Sequence, residues 1–143
     1  MKKIDSDNLF SIFSVGDEEL YKEYRVEDAL QNPFILLGMV IRGVANYYLI
    51  HQIYERSFRK EYESVRESLK LKYFLTLVGY LERLEELQDN TLVDILDEFG
   101  QKAVYFAFSK MLSFLEEQEL YEKCIIVKKY SDLFLSKKLK KSV

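Results

Sequence analysis

Proline, cysteine and histidine each occur once in this chain of 143 residues, and glycine five times. So few chain-breaking residues exclude a many-turned β fold, and abundant Leu, Lys and Glu favour helix, so the expected class is all-α. A lone cysteine excludes an intramolecular disulfide framework and fits a reducing cytoplasm. Together with a lone histidine it leaves too few soft ligands for an ordinary zinc site. The sequence has no G-x-x-x-x-G-K-[ST] loop and no G-x-G-x-x-G run, so nucleotide binding by those routes has no support. It also lacks an EF-hand loop and the Glu-x-x-His pair of a helical di-iron bundle, and no cofactor is expected. The start, Met1 to Asp7, carries the charges of a signal peptide, but acidic residues stand where its apolar core would follow. A net charge of −3 and a pI near 5.3 remove the overall basicity that draws a protein to nucleic acid.

What is present is a long helical stretch from Pro33 to Gln88. Asn32 suits an N-cap and Pro33 a first helical turn, because its fixed φ fits and its missing N–H would be unpaired anyway. From Phe34 to Ile53 apolar residues leave only a narrow polar seam through Arg42 and Asn46, the pattern of a buried helix. The segment approaches the length of a membrane span, but Arg42 near its centre would cost roughly 2.5 kcal/mol or more on insertion. No membrane partner is expected. Further on, Tyr54, Phe58, Tyr62, Val65, Leu69, Tyr73, Leu77, Leu81 and Leu84 recur at steps of three and four, one amphipathic face. An unbroken helix of this length is too long for a compact domain of this size. The pattern Ser64-Val65-Arg66-Glu67 reads as a capping box, which predicts two helices, about 33–62 and 65–88.

The expected architecture is a single-domain bundle of five to six helices over 1–136, with a basic, flexible tail at 137–143. Residues 1–16 read as an arm or short helix, and 17–30 as a helix. Asn90 or Thr91 is placed to cap a short helix at 92–99, and Gly100 to end it in a left-handed conformation. Two further helices follow, turning near Glu117 to Glu119 into an antiparallel hairpin.

Each candidate site has a plainer reading. His51 lies on the apolar side of its helix and reads as a hydrogen-bonded packing residue, Cys124 as a small core residue. Glu82, Glu85, Glu86, Asp94, Asp97 and Glu98 read as a solvated acidic face. Arg56, Arg59, Lys60, Arg66, Lys70 and Lys72, interleaved with aromatics and joined by Lys137, Lys138, Lys140 and Lys141, are the candidate nucleic-acid contacts. The stripe Tyr54, Phe58, Tyr62, Val65, Leu69 and Tyr73 is the candidate protein interface, since aromatics make up 15% of the chain and tyrosine suits interfaces. The segment Tyr121-Glu122-Lys123-Cys124 with Val127-Lys128 and Leu133 resembles the second helix of UVR-type interaction hairpins, over the length of one amphipathic helix only, so no family is assigned from it. The expected function is therefore non-enzymatic: a cytoplasmic, regulatory or accessory protein that binds protein, its own copy included, as a homodimer. A helical nucleic-acid-binding accessory protein is the alternative.

Overall fold

The computed structural model describes residues 31–141, which form six helices and no strand. They are α1 (Pro33–Ser57), α2 (Arg59–Glu63), α3 (Arg66–Glu82), α4 (Asp89–Phe99), α5 (Gln101–Glu117) and α6 (Tyr121–Lys141). The all-α bundle expected from composition is the fold that forms. The arm at 1–16 and the helix expected over 17–30 lie outside the described residues.

Helix α1 is the centre of the bundle and packs on α2, α3, α4 and α5. It starts as its sequence dictates, with the Asn32 side chain accepting hydrogen bonds from the Phe34 and Ile35 amides at 2.9 and 3.4 Å. Leu36, Leu37, Val40, Ile41, Val44 and Tyr47, spaced at three and four, are buried. The helix is not buried all round, however: Leu49 and Ile53, one turn apart, are 59% and 53% exposed. Its contact with α3 is close because Gly43 has no side chain. A Cβ there would lie 2.7 Å from Cδ2 of Leu77, and the Tyr73 hydroxyl donates to the Gly43 carbonyl at 2.9 Å. Phe74, Leu77, Val78 and Leu81 of α3, Leu92 and Ile95 of α4, and Val104, Phe108, Met111, Phe114 and Leu115 of α5 complete one continuous core. Helix α6 closes it with Val127, Tyr130 and Phe134.

The stretch expected as two helices is divided twice, at Phe58 and at Ser64-Val65. The capping box does not form. Ser64 keeps helical angles (φ −69, ψ −23) and its hydroxyl folds back to donate to the Glu61 carbonyl, leaving Val65 to cap α3 with no side-chain bond. Helix α3 also stops at Glu82 rather than 88. The Arg83 and Leu84 amides reach back only three residues, to Tyr80 and Leu81, which tightens the chain and turns Leu84 into the core.

Helix α4 starts at Asp89, earlier than expected, with Gln88 rather than Asn90 or Thr91 at its cap. Gly100 ends α4 and begins α5 at φ 85, ψ 154, a region open in practice to glycine alone and distinct from the left-handed helical angles expected of it. The α5–α6 hairpin turns where expected, without glycine or proline. Glu119 takes the left-handed conformation (φ 59), with the Leu120 amide bonded to the Leu115 carbonyl and the Glu119 amide to that of Glu116. These bonds are a Schellman motif with a glutamate where glycine is preferred.

Helix α6 continues to Lys141, so the stretch read as a flexible tail begins as helix. Lys137 ties it to the first turn of α4 through an ion pair with Asp89 at 2.8 Å, its side chain only 12% exposed.

Two substitutions test these turns and contacts. Glu119→Gly is expected to raise stability by about 1 kcal/mol, the cost of the left-handed conformation for a residue with a Cβ, measured by chemical denaturation. Gly43→Val is expected to lower it by roughly 1–3 kcal/mol, since the added atoms meet packed Leu77.

Candidate protein interface

The amphipathic stripe downstream of α1 is covered by its own chain. The breaks on either side of α2 fold it back, and the face that a straight helix would present is buried between the end of α1 and the start of α3. Tyr62 and Leu69, 0% and 1% exposed, form a small second cluster with Tyr54 and Val65 half-buried against them. Tyr73 belongs to the main core. Of the six candidate interface residues only Phe58 stays largely open, at 45% exposed, its ring 5.7 Å from that of Tyr54. The stripe is thus a packing surface inside one molecule, because bending brings its two halves together at less entropic cost than recruiting a second chain.

A polar contact lies in this corner. The Tyr62 hydroxyl lies 2.8 Å from Nδ1 of His51, and the Tyr47 and Tyr62 side chains are near enough to influence each other's titration. Burial is the main cause that pushes both hydroxyls up from their ordinary value and His51 down from its own. His51 also stacks on Tyr47, its neighbour one turn back, at 5.9 Å between centroids. Beside it Arg66 of α3 reaches Glu55 of α1 at 3.0 Å.

The basic residues do not stand together as a phosphate-binding face. Arg66 and Lys137 are spent on Glu55 and Asp89, and Arg59 pairs with Glu63 on α2 at 3.7 Å. Lys70 folds inward: its Nζ lies 4.7 Å from the centre of the Phe114 ring and 5.7 Å from those of Tyr48 and Phe74. Burial lowers its pKa against the pull of Glu117 and Glu67, while the ring faces favour the ammonium. Arg56, Lys60 and Lys72 are exposed. The backbone at Lys138, Lys140 and Lys141 is helical.

Cys124, half-buried on α6, has its thiol pushed up by burial and then by Glu116, the opposite of what a nucleophile requires. Glu82, Glu85, Glu86, Asp94, Asp97 and Glu98 are exposed, Glu82 pairing with Lys123 at 2.8 Å. Among the described residues no three His, Cys, Asp or Glu side chains gather as for a metal ion.

Apolar side chains are open to solvent elsewhere. Tyr105 of α5 is 75% exposed and Leu135 of α6 54%. Both line a cavity of about 110 Å³ together with Leu96, Val104, Phe108 and Phe134, and with Gln101 and Ser131. Tyr121 and Ile125, one turn apart on α6, are 62% and 70% exposed. The sequence reading missed this surface. Its one visible signal is that Tyr105 stands off the helical face formed by Val104, Ala107, Phe108 and Met111.

Because Tyr62 and Leu69 are intramolecular core, Tyr62→Glu and Leu69→Glu are each expected to cost more than about 3 kcal/mol, the scale of an uncompensated buried charge. Thermal melts should fall steeply; a variant that melts like the parent would contradict the placement. No known protein family matches this chain, and no curated protein or solved structure matches it significantly.

Proposed function

We propose that this is a non-enzymatic, cytoplasmic accessory protein that works by binding protein, its own copy first, through the seam between α5 and α6. The observation that carries the reading is the pair Tyr105 and Leu135, open to solvent and lining a cavity with mostly apolar walls. Aromatic side chains beside a pocket are what binding hot spots use, since a partner's side chain fills the hole while the rim excludes water. Tyrosine suits such a rim because its ring gains from burial and its hydroxyl tolerates water. The side chains the nucleic-acid alternative needs are in part engaged within the chain, Arg66 with Glu55, Lys137 with Asp89 and Lys70 over four rings.

Sedimentation equilibrium tests the reading. The parent should associate reversibly at micromolar concentration. Tyr105→Glu and Leu135→Glu, both at open positions, should weaken the dimer about tenfold or more, roughly 1.4 kcal/mol, without lowering the melting temperature. A parent that stays monomeric at high micromolar concentration contradicts self-association. Weakening by Leu49→Glu or Ile53→Glu instead would move the interface to the outer face of α1.

A further inference from the structure

Helix α2 is held in place by one side chain. Of its five residues only Tyr62 is buried, and the chain breaks at Phe58 before it and at Ser64-Val65 after it. The Tyr62 hydroxyl lies 2.8 Å from Nδ1 of His51, a bond that runs either way with the tautomer: the hydroxyl donates to a bare Nδ1 when the neutral imidazole carries its proton on Nε2, and accepts when Nδ1 is protonated.

We propose that this bond is an acid-released latch, with Tyr62 donating to a neutral His51 at and above neutral pH: a proton on Nδ1 sets two donors face to face, forces the Tyr62 hydroxyl to rotate, and releases α2 so that Tyr54 and Tyr62 become accessible. Charged groups face the imidazole from two helices. Glu55 on α1 favours its proton, while Arg66 and Lys70 on α3 oppose it, and burial opposes it most. The net effect places His51 below its ordinary value. The free side chain titrates near about 6.5, so the latch is fully engaged above that pH and is lost as pH falls through the lower value of His51 in the folded chain. The Glu55–Arg66 ion pair joins α1 to α3 without passing through α2, so release is confined to the short helix. The latch does not involve Tyr105 or Leu135 and stands apart from the proposed interface.

The sequence contains one histidine, so side-chain titration within about pH 5–8 reports on this group. Amide hydrogen exchange of the full chain, read by NMR at about pH 7.5 and about pH 5 and corrected for intrinsic rates, tests the proposal. Protection over 58–65 should drop about tenfold or more at the lower pH while that over 40–47 holds, the signature of a local opening. In His51→Gln, whose side-chain oxygen accepts from Tyr62 but does not titrate, the difference should vanish. In Tyr62→Phe protection over 58–65 should be low at both pH values. Loss of the difference in both variants supports the latch. Persistence in either variant overturns it, as does a parent whose His51 titrates with no change over 58–65, or a neutral imidazole that carries its proton on Nδ1.

Discussion

The close approach of α1 and α3 at Gly43 is the contact on which the rest of the structure depends. Leu77 occupies the space a side chain at Gly43 would need, and the Gly43 carbonyl, inside a helix, accepts a hydrogen bond from the Tyr73 hydroxyl. With the two helices this close, Tyr47 packs on both Tyr73 and Phe74, and Phe74 reaches across to Phe114 of α5. One aromatic path thus links three helices. The apolar area it removes from water supplies the main stabilisation, at roughly 25 cal/mol per Å².

Closing this core at the middle of α1 leaves the far end of that helix to be covered separately. The chain between α1 and α3 is short, so α2 has to fold back over the corner, and Tyr62 is the side chain that reaches it. A small cluster then forms, joined to the main core through Tyr47. The same geometry consumes several residues that look free in the sequence. Lys70 covers aromatic faces, Arg66 bridges α1 and α3, and His51 is hydrogen-bonded to the Tyr62 hydroxyl. What stays outside includes the apolar surface at Tyr105 and Leu135, on the helices farthest along the chain from this corner.

The features legible in the sequence are those set by neighbouring residues. Asn32-Pro33 starts α1 because both act on the first turn, and apolar residues recurring at steps of three and four yield a helical bundle. The hairpin turn near Glu117 to Glu119 could be placed between two apolar runs, though not its means, since a glutamate takes the role of glycine. Features set by distant residues were not legible. Ser64-x-x-Glu67 is a cap only if Ser64 leaves the helix, and Tyr62 packing against His51 and Tyr54 keeps it in. The stripe from Tyr54 to Tyr73 has the same spacing whether a second chain or a fold-back covers it, so periodicity could not separate interface from core. Lys137 looked like a tail because Asp89, forty-eight positions earlier in sequence, is brought beside it only by the packing of α4 on α6.

The central claim is that the chain holds one main core around α1 and a separate, weaker unit at α2. Native-state hydrogen exchange at neutral pH, followed through low denaturant concentrations, tests it most directly. Amides over 40–47 and 107–115 should exchange only through global unfolding, with a steep dependence on denaturant. Those over 59–65 should exchange through a smaller opening with a shallow dependence. A single common slope, with α2 as well protected as the middle of α1, would contradict the account.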